Sequence, residues 1–177
     1  MNEFSRLFRI DGIGQAPNLV AIEAGEKERA ALAQRFRLEA IHSLSAEARL
    51  TRTEDVIRAS GRVNAAVVQG CVATGEPVEE QVAEDFTIEF RPHVQVGSPD
   101  EEIELSESEL DVVFYDGGAV DLGDAVAETV SLALNPFPRS PQAEEALRAA
   151  GVKSEEEARA EANPFAGLAA LKDKLGR

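Results

Sequence analysis

Leu44-Ser45-Ala46-Glu47-Ala48-Arg49-Leu50-Thr51, followed after a turn at Glu54-Asp55 by Ile57-Arg58-Ala59-Ser60-Gly61-Arg62-Val63-Asn64-Ala65-Ala66-Val67, is the stretch that decides the fold. Small or apolar residues alternate with polar ones over both runs. Period two over such lengths means extended strands with one face buried. After a second turn at Gly75-Glu76-Pro77, Val78, Val82, Phe86, Ile88 and Phe90 continue the alternation through a third long run. Three long strands with short connections predict an antiparallel meander. The small inward residues Ala59, Gly61 and Ala65 predict a strongly curved sheet, a partial barrel, or one that a helix approaches closely.

Around this meander the chain reads as follows. Phe4 to Ile10 predicts a strand, the cluster Asp11-Gly12-Ile13-Gly14 a turn, and Leu19 to Ile22 a second short strand. Glu26 to Phe36 predicts a helix, with glutamates near its positive end and Leu32 and Phe36 on one face. The segment Gly97 to Leu110 reads as an acidic, turn-rich, mobile loop, and Val112 to Tyr115 returns to the sheet. Asp116-Gly117-Gly118 then makes a hairpin-like turn leading to Val120. Asp121 is placed to cap a helix whose apolar face holds Leu122, Val126, Val130 and Leu134, and Asn135-Pro136-Phe137-Pro138 ends it. Beyond it, Ser140-Pro141 opens a helix ending at Gly151, and Ser154 with Glu157 forms a capping box for another. Last, Asn163-Pro164 starts a short amphipathic helix with Phe165, Leu168, Leu171 and Leu175 on one face. The expected class is α+β, with one domain over 1–138 and a helical tail over 139–177 that packs on it or on a partner.

A chain of 177 residues buries roughly 70% of its unfolded surface in one domain and needs neither disulfide nor metal to hold a core. The single Cys71 excludes an intrachain disulfide, and Met1 to Ile10 lack the apolar run of a secretory signal. No stretch reaches the roughly 20 apolar residues of a membrane span, so the expectation is a cytoplasmic, soluble protein. The net charge of -15 is unevenly spread. Residues 1–75 carry ten basic and nine acidic groups, whereas 76–111 carry thirteen acidic groups against Arg91 alone. Such a belt either keeps a surface solvated or attracts a basic partner.

Three short segments in fixed order carry a family resemblance: Gln69-Gly70-Cys71-Val72-Ala73-Thr74-Gly75-Glu76-Pro77; Asp121-Leu122-Gly123 with Glu128 and Leu132-Ala133-Leu134-Asn135-Pro136; and Asn163-Pro164-Phe165-Ala166-Gly167-Leu168. From about residue 55 to the C-terminus the chain resembles the YceD family, the large-subunit ribosomal RNA accumulation proteins of bacteria and plastids. The resemblance implies a role in ribosome biogenesis, and it marks Cys71, Glu76, Pro77, Asp121, Leu122, Gly123, Glu128, Asn163, Pro164, Phe165 and Ala166 as motif residues. Many relatives have a C-x-x-C pair followed by Leu-Glu-Pro at this point. Here the pair is Cys71-x-x-Thr74, with Gly75-Glu76-Pro77 after it. A structural zinc site needs about four thiolate or imidazole ligands, and Cys71, His42 and His93 stand at unrelated spacings. No metal and no cofactor are expected, and Cys71 reads as a small, half-buried residue at a strand end.

Asp121, Asp124 and Glu128 lie at helical spacing, the alternative reading being the metal site of an RNA-processing or metal-dependent hydrolase. One helix turn does not supply a two-metal clamp, and capping explains Asp121 and Asp124. Arg49, Arg58 and Arg62 share the polar parity of adjacent strands and are the candidate RNA contacts. Glu101, Glu102 and Glu104 in the acidic belt, with Phe165, Leu168 and Leu171 in the C-terminal helix, are the candidate partner contacts. The expected function is that of a non-enzymatic ribosome biogenesis factor promoting synthesis, processing or stability of 23S ribosomal RNA. Its expected partner is a large-subunit precursor, met either as RNA or as a basic ribosomal protein or assembly factor; neither a membrane nor a small-molecule substrate is expected.

Overall fold

The computed structural model describes residues 3–93, 111–153 and 158–159. The elements in chain order are β1 (Leu7–Arg9), a single 3-10 turn (Ile10–Gly12), β2 (Asn18–Glu23), α1 (Glu26–Phe36), β3 (Ala40–Thr53), β4 (Val56–Gly70), β5 (Pro77–Pro92), β6 (Val112–Tyr115), β7 (Ala119–Asp121), α2 (Leu122–Ala133) and α3 (Ala143–Ala149). The α+β class and the antiparallel meander of three long strands are as the alternation dictates. Among the described residues the five-stranded sheet runs β2-β3-β4-β5-β6 and is open, with β2 and β6 as its edges and no closed barrel. The pairings from β2 to β5 are antiparallel, but β6 joins β5 in parallel.

The parity of the sequence translates into one buried face. Leu44, Ala46, Ala48 and Leu50 of β3, Ile57, Ala59, Val63, Ala65 and Val67 of β4, and Val82, Phe86, Ile88 and Phe90 of β5 are all buried. One extra residue interrupts the β3–β4 register between Ile41 and Ser43. The irregularity keeps Ile41 inside although it is three positions from Leu44, because a bulge shifts the period-two pattern by one. At Gly61 the strands approach so closely that a Cβ would stand 2.0 Å from the Glu47 carbonyl oxygen.

α1 and α2 cover this face, and Leu32, Leu122, Val126 and Val130 join the same apolar cluster as the strands. α2 ends one residue before Leu134, which leaves the helix with φ -61° and ψ 142° and is half-buried. The expected strand from Phe4 to Ile10 is shorter than the sequence suggests. Phe4 is a core residue with 1% exposure, and Ile10 begins the 3-10 turn. Nor does the turn at Asp116-Gly117-Gly118 make a hairpin. β7 pairs instead with β1, in a separate two-stranded ribbon with register Leu7 to Asp121. The helix expected after Ser140-Pro141 forms as α3, and Gly151 follows it with φ +80°. The acidic segment 97–110, the capping box at Ser154 and the helix from Asn163 lie outside the described residues.

Candidate functional site

The outer face of the sheet carries the three candidate arginines, all exposed. Antiparallel register sets Glu47 against Arg62 and Arg62 against Asp85 across β3, β4 and β5. Two rows over on the same face, Arg58 stands against Glu89. Directly opposed side chains on one face are within reach of each other. Arg62 Nη1 accordingly donates to Asp85 Oδ1 at 3.0 Å, and Arg58 Nη2 donates to Glu89 Oε1. Glu89 also accepts from Arg91 at 3.0 Å, and the two guanidiniums, Arg58 first, hold its carboxyl below the usual range. Two of the three arginines are thus neutralised within the sheet. Arg49 faces Ser60 and has no acidic partner among the described residues. It lines a shallow groove of about 590 Å³ with Leu19, Ser60, Gly61 and Arg62.

The first family motif is a tight β4–β5 connection. Gly75 takes φ +74°, its N–H donates to the Cys71 carbonyl at 2.8 Å, and the Cys71 N–H donates to the Glu76 carbonyl at 2.7 Å. Glycine is favoured at such a left-handed position because it has no Cβ to clash. Cys71 is 4% exposed, so it is a buried residue rather than a half-buried one. The chain returning after α2 closes over it: the Ser140 N–H donates to Cys71 Sγ at 3.2 Å, and the Ser140 hydroxyl to Glu76 Oε2 at 2.7 Å. Thr74 Oγ1 adds a bond to the same Glu76 oxygen at 3.1 Å. The Ser140 amide, with help from Thr74, pushes the Cys71 thiol down to about 6. Ser140 was legible in sequence only as a helix start, since its partners lie 64 and 69 positions away.

The second motif is a clamp. Asp121 caps α2 by accepting from Gly123 N at 3.1 Å and Asp124 N at 3.3 Å. It also accepts from Arg6 N at 2.8 Å and Ser5 Oγ at 2.6 Å, which ties the N-terminal segment to the helix. Gly123 is required beneath it, because a Cβ there would lie 2.7 Å from the Phe4 carbonyl oxygen and 2.8 Å from Arg6 N. Leu122 is fully buried. Asp124 binds Arg35 of α1 at 3.2 Å, and Glu128 stands 4.0 Å from the same guanidinium. The three carboxylates proposed for a hydrolase are therefore spread over a cap and an interhelical ion pair. Among the described residues no group of three or more His, Cys, Asp or Glu could hold a metal ion.

The acidic belt is partly engaged too. Glu80 accepts from Gln69 Nε2 at 2.5 Å and from Asn135 N at 3.1 Å, which fixes the chain leaving α2. Glu76, Asp85 and Glu89 have the partners given above. Pro77 opens β5 and pairs with Gly70, an edge-of-strand place where its missing N–H costs little. Glu101, Glu102, Glu104, Asn163, Pro164, Phe165, Ala166, Leu168 and Leu171 lie outside the described residues.

A family model described as large ribosomal RNA subunit accumulation protein YceD matches residues 59–172. The chain belongs to the YceD family. The match takes in the β4–β5 turn and the Asp121-Leu122-Gly123 clamp, so two of the three YceD motifs have a structural explanation here. Membership ties the chain to accumulation of large-subunit ribosomal RNA. None of the curated proteins and none of the solved structures matches it. No helix among the described residues is long and apolar enough to cross a membrane.

Proposed function

We propose that this YceD protein promotes accumulation of large-subunit ribosomal RNA as a non-enzymatic factor, by holding a basic ribosomal protein or assembly factor. The observation that supports the reading is the internal pairing of Arg58 with Glu89 and Arg62 with Asp85, which offsets two of the three cations of the face a phosphate would meet and leaves Arg49 as the third. The unpaired charge of a chain with net charge -15 is then chiefly acidic, and acidic surfaces steer basic proteins. On β5, Glu79 and Glu84 are exposed, and Asp111 is exposed just before β6. Glu101, Glu102 and Glu104 extend the same belt in sequence. Phe165, Leu168 and Leu171 supply a second, apolar contact with the same precursor in this reading. The test is affinity recovery from cells with Glu101, Glu102 and Glu104 each changed to Lys. Loss of a basic ribosomal partner, with an unchanged melting curve, is the expected result; undiminished recovery contradicts the proposal.

One observation favours a second contact. Arg49 has no ion pair among the described residues and lines the groove beside Ser60, together with Glu47 and Asp85. If RNA is held there, Arg49→Ala lowers the slope of affinity against salt by about one contact.

A further inference from the structure

β6 is an outer strand of the five-stranded sheet. Along its inner edge the Glu89 N–H donates to the Asp111 carbonyl at 2.9 Å and the His93 N–H to the Tyr115 carbonyl at 3.1 Å. Backbone polar groups alternate in direction along a strand, so residues 111, 113 and 115 address β5. The N–H and C=O groups of Val112 and Phe114 therefore point to the open edge. Among the described residues no backbone or side-chain group takes them up. An open row of this kind is a template for another strand.

A groove of about 240 Å³ adjoins this edge, walled by β6 on one side and by β1, β7 and the start of α2 on the other. Leu7 and Phe114 line it although they are 68% and 59% exposed, a large uncovered apolar area for two residues of such size. Asp116, Asp124 and Glu128 line it as well. Asp116 is exposed, and Asp124 and Glu128 share one guanidinium, Arg35, which also binds Glu3 at 3.1 Å. In sequence, residues 100–111 lead straight into β6 with seven acidic residues and no basic one. The groove beside the edge thus has apolar anchors, Leu7 and Phe114, and the carboxylates Asp116, Asp124 and Glu128 in its lining.

From these features we infer that β6 is the docking edge for an extended, lysine- or arginine-rich segment of the partner protein, which adds as a further strand. Its main-chain groups pair with Val112 and Phe114, one apolar side chain covers Leu7, and its cations face Asp116 and Glu128. The charge decides the occupant, because an acidic or neutral strand gains nothing from those carboxylates. The inference rests on the proposed basic partner and adds where and how it is held.

The experiment is a titration of the isotope-labelled full chain with an acetylated and amidated Lys-Val-Lys-Val-Lys-Val peptide, followed by amide resonances. The expected result is saturable movement of the Val112 and Phe114 amides, weakened about tenfold by Asp116→Lys and by Leu7→Lys, and abolished when alternate peptide nitrogens are methylated. Phe114→Pro removes one edge donor and lowers affinity similarly. Equal binding of the methylated peptide, or shifts confined to other elements, overturns the inference. So does simultaneous displacement of resonances from residues 160–177, which would make the chain's own end the occupant. Edge protection that grows with protein concentration overturns it too, in favour of a second copy. If the peptide ignores β6 while charge reversal in the belt still abolishes recovery of a basic partner, only the docking inference fails; undiminished recovery removes the functional reading itself.

Discussion

Asp121 satisfies two amides of its own helix, the Arg6 amide and the Ser5 hydroxyl with one carboxylate. Asp121→Ala removes a helix cap and leaves a half-buried N–H unpaired, so it costs about 2 to 3 kcal/mol in urea unfolding. At Glu28 the bidentate contact with Arg6, 2.7 and 2.8 Å, pulls the carboxyl down to about 2 from its ordinary 4.5. A depressed carboxyl contributes stability that is present above the ordinary value and lost as pH falls through the folded one. The wild-type unfolding midpoint therefore falls between pH 4.5 and 2, and that slope is shallower in Glu28→Gln. Cys71 follows the same sign at higher pH: its thiol titrates at about 6 against an ordinary 9.0, so its share of stability is full above pH 9 and lost as pH falls through 6. Thiolate absorbance should report a midpoint near 6 in the native chain, moving upward in Thr74→Val.

At the scale of elements, the meander was legible in the sequence because alternation holds from Leu44 to Leu50, Ile57 to Val67 and Phe86 to Phe90, and only strands bury every second residue. The α2 face was legible for the same reason at helical spacing, and Asp121 as its cap from residue type alone. What stayed hidden is non-local. Three-residue β1 and β7 have too few positions to show a period, and their pairing joins residues 7 and 121. The parallel placement of β6 depends on the path taken through 93–111, which periodicity does not encode. The Cys71 and Asp121 motifs were visible as motifs, yet their partners Ser140, Ser5 and Arg6 are ordinary residues in sequence. Arg58 and Arg62 were placed on the correct face, but their neutralisation needs the register to β5, which sets Glu89 and Asp85 opposite them. Arg62→Glu would put three carboxylates in one cross-strand row and destabilise the sheet by about 1 kcal/mol. Gly61→Ala forces a Cβ into the β3 backbone, and its expected cost is about 1 to 3 kcal/mol by thermal or urea unfolding.

For the molecule as a whole, the internal ion pairs and the charge map point the same way. A two-layer body pairs Arg58 and Arg62 with acids of its own sheet, and Glu79, Glu84, Asp111 and Asp116 are exposed. We propose that a YceD protein built so holds a basic partner of the large-subunit precursor rather than gripping RNA unaided. Ultraviolet crosslinking of the tagged chain in its own cells, with sequencing of attached RNA and mass spectrometry of co-purifying proteins, tests this most directly. The account predicts recovery of a basic ribosomal protein or assembly factor with few RNA crosslinks to the chain itself. Dense crosslinks from large-subunit ribosomal RNA to the face of Arg49, Arg58 and Arg62, persisting when no basic protein co-purifies, would contradict it.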